Sequence, residues 1–338
     1  AVGVQLTISR PVQRAAEAVA ADTMTSGCIL VLDTATAAVR ASVSVPGYDP
    51  DDLAASLDAP DSPFLNRALE SYAVGSVFKP VLAALEQGIL PECECTGAVV
   101  VDGQIFRCAG GVPHGTVDMT VALEKSCNGY FIRLGQQLGA ETLLQMSRQL
   151  GFGQEVPVAG ALHADAGKLP SAGELAQSGQ LANFSFGQGG LLASPVQIAA
   201  MMNTIASGGV YRTPFFVCGS VDETDGTPLE TLAHPQSRRV MSAENVALLR
   251  KMLQQVVEEG TAQDAAGLEE GAGGKTGTAQ TGQFTPDGTE RKNLWFAGFY
   301  PAQQPRYTIV VLQDGQVSTE HSSAAIFARL CAMLDLLA

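Results

Sequence analysis

A serine and a lysine lie three positions apart in the segment V-G-S-V-F-K-P, where Ser76 precedes Lys79 at the start of an apolar stretch. Three positions along a helix place two side chains on one face, about 5–6 Å apart at Cβ. A serine hydroxyl becomes nucleophilic when a base takes its proton, and a lysine is such a base when burial lowers its pKa. Val77, Phe78 and Val81 would supply that burial. The spacing predicts a nucleophile at Ser76, with a helix cap beside a surface lysine as the alternative.

Two further segments carry hydroxyl, amide and ammonium groups. S-C-N at 126–128 interrupts a helical pattern, so a turn there would place a hydroxyl and an amide in a cleft between helices. K-T-G-T at 275–278 follows two glycines, which permits close approach of the strand to a ligand, and its lysine and hydroxyls would hold a carboxylate. Their ordinary interpretations are a helix cap and a solvated edge strand. Ser-x-x-Lys, Ser-x-Asn and Lys-Thr-Gly occur once each and in this order, which is typical of penicillin-recognising serine enzymes.

The bulk composition excludes several classes of protein. The chain has 338 residues, of which 46% are hydrophobic, enough for a large core in one or two domains. Its formal net charge of −14 argues against nucleic acid and anionic membrane surfaces as partners. No apolar run approaches the roughly 18–20 residues of a membrane-spanning helix. Because the sequence begins with Ala1 rather than Met, we expect a processed or excised soluble piece whose N-terminal anchor would be invisible here.

The order of strand-like and helical segments predicts an α/β (α+β) fold. Two strand-like runs near the start would join three near the end in one antiparallel five-stranded sheet, flanked by the N- and C-terminal helices. The middle of the chain would form a mostly helical lobe. The strand-like runs are 27–33, 39–47, 273–280, 293–301 and 306–315.

Beyond the three motifs, the sequence resembles the transpeptidase domain of class B penicillin-binding proteins nearly from end to end. Val77 departs from the family pattern, in which threonine is more usual. The resemblance implies a β-lactamase/transpeptidase-like fold over 1–338, with a sheet lobe at about 1–60 plus 240–338 and a helical lobe at about 61–239. The segments that carry the resemblance are 4–17, 26–50, 64–80, 185–209 and 295–301.

The resemblance also implies an activity and the residues responsible for it. The protein would be a serine D,D-transpeptidase that cross-links peptidoglycan stem peptides ending in D-Ala-D-Ala, and β-lactam antibiotics would acylate it. Its catalytic residues would be the nucleophile Ser76, the base Lys79, the proton-relaying Ser126 and Lys275, and the orienting Asn128. Its substrate-binding residues would be Thr276, Gly277 and Thr278, with both threonines on the terminal carboxylate.

A location and partners follow from the same resemblance. The protein would act at the extracytoplasmic face of the bacterial cell membrane with a cell-wall synthesis partner, and its membrane anchor and pedestal domain would be absent from this chain. The chemistry would need no cofactor. A β-lactamase is disfavoured because the chain lacks a Glu-x-x-Leu-Asn segment for a deacylating water. A β-lactam-sensing receptor domain and a D,D-carboxypeptidase of the same fold remain alternatives.

The cysteines raise a separate question. Cys95 and Cys108 flank a predicted hairpin, His114 follows, and Cys127 lies inside the Ser-x-Asn motif. Three thiolates and one imidazole are a common tetrahedral zinc set, so we predict a structural zinc site, with Cys93 as a substitute for Cys95. Some class B members similarly hold a metal beside this motif. The alternative is a Cys95–Cys108 disulfide, which an extracytoplasmic location favours.

Overall fold

Both ends of the chain meet in one five-stranded sheet in a computed structural model, which describes residues 2–86, 88–232, 235 and 237–337. The described residues form the α-helices α1 (Arg10–Thr23), α2 (Lys79–Ala83), α3 (Met119–Glu124), α4 (Asn128–Leu138), α5 (Ala140–Gln149), α6 (Ala172–Leu175), α7 (Ser178–Ser185), α8 (Pro195–Ala206), α9 (Ala243–Glu258) and α10 (Ser323–Asp335). Their strands are β1 (Val2–Leu6), β2 (Gly27–Asp33), β3 (Val39–Val45), β4 (Tyr72–Ala73), β5 (Cys93–Cys95), β6 (Ala98–Val101), β7 (Gln104–Arg107), β8 (Gly115–Val117), β9 (Val156–Ala159), β10 (Leu162–Ala164), β11 (Leu192–Ala193), β12 (Val210–Arg212), β13 (Val217–Asp222), β14 (Pro228–Thr231), β15 (Ser237–Arg239), β16 (Gly273–Phe284), β17 (Glu290–Tyr300) and β18 (Tyr307–Gln316).

The large sheet has the strand order β16-β17-β18-β2-β3, and every neighbouring pair is antiparallel. The predicted five-stranded antiparallel sheet is therefore confirmed. The interior strand β2 reads G-C-I-L-V-L-D, and all of its residues except the last are buried. Such a continuous apolar run is expected where helices cover both faces of a sheet.

Helices lie on the two faces of this sheet. On one face, α1 contacts β3 and α10, and α10 contacts β17 and β18, which confirms the predicted cover by terminal helices. The buried stripe of α1 recurs at helical spacing through Val12, Ala15, Ala16 and Val19. On the other face, α8 contacts β2, β17 and β18, and each of its residues is buried.

The segment between β3 and α9 supplies the short helices α2 to α7 and several two-stranded pairs, including β5-β8 and β6-β7. Strand β1 lies outside the large sheet, because it pairs with β13 in a separate three-stranded sheet. The lobe boundaries inferred from the sequence stay a prediction. Within the described residues, no helix has the length and apolar character needed to cross a membrane.

Candidate active site

Ser76 lies on a tight turn that is packed against strand β16. The segment Gly75–Phe78 is a 3₁₀ turn that continues directly into α2. Gly75 has a φ of +68°, and a Cβ there would lie 2.6 Å from the carbonyl oxygen of Thr278. From the strand side, a Cβ on Gly277 would lie 2.9 Å from the backbone nitrogen of Val77. Both glycines are needed because the turn and the strand approach each other at backbone distance.

Lys79 is fully buried, so it is not the surface lysine of the alternative interpretation. Its Nζ donates hydrogen bonds to the Ser126 carbonyl oxygen at 2.7 Å, to Asn128 Oδ1 at 2.7 Å and to Ser126 Oγ at 3.1 Å. Burial lowers the pKa of Lys79 from 10.5 to about 7. The amine therefore exchanges its proton near neutral pH, as a general base must.

The S-C-N segment forms the predicted turn between two helices, α3 and α4. Ser126 has a positive φ of 54°, which is unusual for a residue with a Cβ. Cys127 caps α4, because its Sγ accepts a hydrogen bond from the backbone N–H of Tyr130 at 3.5 Å. Asn128 is held from its other side, where Nδ2 donates to the carbonyl oxygen of Arg107 at 2.9 Å. The turn thus fixes the hydroxyl and the amide that contact Lys79.

Lys275 is buried on β16, at the edge of the sheet that faces the Ser76 turn. Its Nζ donates to the carbonyl oxygen of Thr276 at 3.2 Å. Burial, together with the neighbouring Lys79 ammonium, lowers the pKa of Lys275 well below its usual value. A solvated edge lysine is therefore excluded. The hydroxyl of Thr276 lies 2.6 Å from that of Thr261, which follows α9.

These groups meet in one cleft of about 880 Å³. Six of the predicted residues line it directly, and Lys79 and Lys275 lie behind it with their amines bonded to groups in its wall. The lining six are Ser76, Ser126, Asn128, Thr276, Gly277 and Thr278. Hydroxyl, amide and amine groups thus lie around one cleft, which is the kind of arrangement that acyl transfer uses.

Sequence reasoning missed two kinds of positioning contact. Thr261 meets Thr276 from a distant loop, and no local pattern marks it. Trp295 on β17 donates from Nε1 to the carbonyl oxygen of Ala73 at 2.9 Å, which fixes the strand that leads into the Ser76 turn. Trp295 belongs to a segment that resembles the family, but its spacing to Ser76 in the sequence gave no indication of this bond.

Four side chains beside the Ser126 turn could hold a metal. The ligand atoms of Cys95, Cys108, His114 and Cys127 all lie within 4.8 Å of one another. Cys95 Sγ is 3.7 Å from Cys108 Sγ and 3.4 Å from His114 Nδ1, and the Sγ atoms of Cys108 and Cys127 are 3.9 Å apart. The hydrogen bond from the Cys127 thiol lowers the pKa of Cys108 to about 4.

The fifth nearby cysteine lies outside this group. Cys93 accepts a hydrogen bond from Arg133 at 3.5 Å and is not part of the four-residue cluster, so it does not substitute for Cys95. All seven cysteines are free, and the Cys95–Cys108 disulfide is not formed. A disulfide would bring those sulfur atoms to about 2.05 Å.

The fold and this cleft together define the class of penicillin-recognising serine acyltransferases, in which Ser-x-x-Lys, Ser-x-Asn and Lys-Thr-Gly motifs share one site. The sequence model described as "Penicillin binding protein transpeptidase domain" matches residues 27–332. The chain belongs to this family. The resemblance of its sequence to class B transpeptidase domains is therefore confirmed.

Particular relatives agree with this assignment. The chain is 32% identical to the peptidoglycan D,D-transpeptidase PbpA of Mycolicibacterium smegmatis over 92% of its own length and 67% of that protein. It is 31% identical to PbpA of Mycobacterium tuberculosis over 85% of this chain but only 62% of that protein. The structure of penicillin-binding protein A from M. tuberculosis as an imipenem acyl-enzyme complex is 26% identical, with a TM-score of 0.85 over 98% of this chain and 79% of that one. The chain thus spans about two thirds of the length of these curated relatives.

Proposed function

We propose that the chain is a serine D,D-transpeptidase domain that cross-links peptidoglycan stem peptides ending in D-Ala-D-Ala and is acylated by β-lactams. The observation that carries the proposal is the three-way hydrogen bonding of Lys79, which joins the Ser-x-x-Lys turn to the Ser-x-Asn turn inside one cleft. The names of the relatives and the imipenem complex of one of them support the same reaction.

In this mechanism Ser76 Oγ attacks the carbonyl carbon between the two terminal D-alanines, while neutral Lys79 accepts its proton. Burial supports this role, because it holds the pKa of Lys79 at about 7. The C–N bond breaks, and D-alanine leaves as an amine that receives a proton through Ser126. The stem remains as an ester on Ser76.

The second half of the reaction reverses these transfers. An amine from a neighbouring stem attacks the ester carbonyl and loses its proton through Ser126, with Lys275 as a second relay. A new amide forms and the Ser76 hydroxyl is restored.

Other residues position the donor stem before the first step. Asn128 orients Lys79 and the substrate amide, while the hydroxyls of Thr276 and Thr278 bind the terminal carboxylate.

The developing oxyanion lies at the turn-to-strand contact. We assign its hydrogen-bond donors to the backbone N–H groups of Ser76 and Thr278. The close packing of Gly75 against Thr278 supports this assignment, because it brings the two backbones together. Donors fixed in this way stabilise charge that develops only during reaction. Gly277 contributes by permitting the approach of the strand.

A test of the reaction is amine exchange at the acyl-enzyme. The protein is incubated with a stem peptide ending in D-Ala-D-Ala and with an excess of a free D-amino acid as acceptor. A transpeptidase exchanges the terminal D-alanine for the added amino acid, which mass spectrometry detects. Hydrolysis without exchange would indicate a carboxypeptidase, and covalent penicillin binding with neither peptide product would indicate a β-lactam-sensing domain.

We also propose that the chain is the catalytic part of a longer, membrane-anchored protein at the extracytoplasmic face, where it works with a cell-wall synthesis partner. About a third of each of these curated relatives lies outside the match, which supports a longer protein. The same proposal divides the domain into two lobes, a sheet lobe at about 1–60 plus 240–338 and a helical lobe at about 61–239. The full-length gene tests it, since one upstream membrane helix is expected.

We infer further that Cys95, Cys108, His114 and Cys127 hold a structural zinc ion. Two thiolates on one tetrahedral zinc lie about 3.8 Å apart, and a thiolate and an imidazole nitrogen about 3.6 Å apart. The corresponding separations of 3.7, 3.9 and 3.4 Å support this geometry. The ion would tie the β5–β8 region to the cap of α4, and so to the Ser126 turn.

Metal analysis tests this inference on protein purified without added zinc. About one zinc per chain is expected, and Cys108→Ser should lose it together with several degrees of melting temperature. Cys218→Ser is the matched control, because Cys218 is half-buried on β13 outside the cluster. Substoichiometric metal in the unsubstituted protein, together with a mapped Cys95–Cys108 disulfide, would refute the zinc site.

A further inference from the structure

The cleft carries a charge pattern that differs from the rest of the chain. The protein has 34 Asp and Glu residues against 20 Lys and Arg. Among the described residues that line the cleft, however, none is acidic, whereas Arg107, Lys125 and Lys292 are cationic. In a chain of net charge −14, this segregation indicates a site that attracts anions.

Two of these three cations are uncompensated. Lys125 is paired with Glu124 at 2.6 Å. Arg107 and Lys292 are exposed and form no ion pair with any residue that the structure describes. Their charges are therefore available to a ligand in the cleft.

Lys292 lies on the large sheet, on the face that lines the cleft. On β16, Thr276, Thr278 and Gln280 alternate with buried residues and so share the face that lines the cleft. Lys292 is the cross-strand partner of Gln280, and Leu294 is the partner of Thr278. Because directly opposed residues in a sheet point to the same face, Lys292 belongs to this row.

The proposed reaction fixes the direction in which the donor stem runs. Its terminal carboxylate lies at the hydroxyls of Thr276 and Thr278, and its scissile carbonyl lies between the Ser76 hydroxyl and the backbone N–H of Thr278. The remaining stem must then continue beyond Thr278 towards Gln280 and Lys292. Two residues of strand span about 7 Å, so Lys292 meets the stem about two residues before the scissile bond.

We propose that Lys292 binds a free carboxylate of the donor stem about two residues before the scissile bond, so that the cleft selects acidic stems over amidated ones. This inference rests on the proposed transpeptidase function and adds a substrate class to it. Gln280 contributes an amide beside the lysine. Glu290 lies outside the cleft lining and accepts a hydrogen bond from Gln280 at 2.8 Å.

The test compares two synthetic stem peptides that both end in D-Ala-D-Ala. One carries free carboxylates on its upstream acidic residues, and the other carries the corresponding carboxamides. Each peptide competes with a fluorescent penicillin that labels Ser76, and the peptide concentration that halves the labelling rate is measured. This competition reports peptide binding and does not require the peptide to be turned over. The preference is the ratio of the two concentrations, measured in 50 mM and 500 mM NaCl.

The unsubstituted protein should prefer the acidic peptide by about three- to fivefold at low salt, as expected for one exposed ion pair. The preference should shrink at high salt because the charges are screened. Lys292→Gln should bring the ratio to about one, and Lys292→Glu should invert it. Lys251→Gln makes the same charge change on the exposed surface of α9, outside the cleft, and should retain the preference.

Three results would overturn the inference while penicillin still labels Ser76. They are a ratio at or below one in the unsubstituted protein, an unchanged ratio in Lys292→Gln, and no protection by millimolar acidic peptide. Absence of penicillin labelling at Ser76 would instead overturn the proposed function on which the inference rests.

Discussion

The acylation rate should follow the ionisation of Lys79. Its amine is fully buried, and burial lowers its pKa from 10.5 to about 7. Only the neutral amine can take the proton of Ser76, so the rate is expected to rise with pH as Lys79 loses its own proton. The pH of half-maximal rate then reports the pKa of Lys79 in the free enzyme.

The lowered pKa makes this prediction quantitative. With a pKa of about 7, about a tenth of Lys79 is neutral at pH 6 and about nine tenths at pH 8, so the rate should rise about tenfold over these two pH units. Above pH 8 it should level off. With the ordinary value of 10.5, the rate would instead climb about tenfold for every pH unit up to pH 9.5.

Stopped-flow acylation by nitrocefin under second-order conditions from pH 5.5 to pH 9.5 measures this profile. Lys79→Ala should abolish the inflection along with most of the rate. Lys125→Gln is the control for an exposed lysine in the same cleft, and it should leave the inflection near pH 7. A profile that is flat, or that still rises tenfold per unit above pH 8, would refute the assignment of Lys79 as the base.

Three other substitutions should have distinct effects. Lys275→Ala should slow acylation by orders of magnitude because a buried amine beside Thr276, the proposed carboxylate-binding residue, is lost. A rate within about threefold of the unsubstituted protein would remove Lys275 from the site. Gly75→Ala should cost about 1–2 kcal/mol of unfolding free energy for the positive φ of this position alone. The added Cβ would also clash with the Thr278 carbonyl oxygen and should slow acylation, so an unchanged urea midpoint and an unchanged rate would contradict this prediction. Arg67→Met should cost about 3 kcal/mol, since Asp314, bonded to Arg67 Nε at 3.1 Å, loses its counter-ion and keeps the hydrogen bond from Ser26. A loss below about 1 kcal/mol in urea unfolding would show that the pair is not a significant buried interaction.

Much of the fold follows from local pattern. The buried run of β2 and the regular spacing of apolar residues in α1 identify elements with covered faces, and the terminal positions of the sheet strands indicate closure by both chain ends. Pairing of β1 with β13 could not be predicted in this way, because a short, largely exposed strand has no buried face that specifies a partner.

The candidate site was predictable where its residues are close in sequence. Ser76 and Lys79 share one turn, and Ser126 and Asn128 share another, so spacing alone places each pair together. The contacts of Thr261 with Thr276 and of Trp295 with Ala73 depend on tertiary packing between distant segments. No periodic pattern in the sequence marks such contacts, so only the folded structure identifies them.

Ser76 is the proposed nucleophile that penicillin acylates. Intact-mass spectrometry after incubation with benzylpenicillin, followed by peptide mapping, tests this assignment. One penicilloyl group per chain is expected on the peptide that contains Ser76, stable for minutes or longer, and none on a folded Ser76→Ala variant. An adduct on another residue, or equal labelling of Ser76→Ala, would show that Ser76 is not the nucleophile, and rapid catalytic destruction of the penicillin would indicate a β-lactamase.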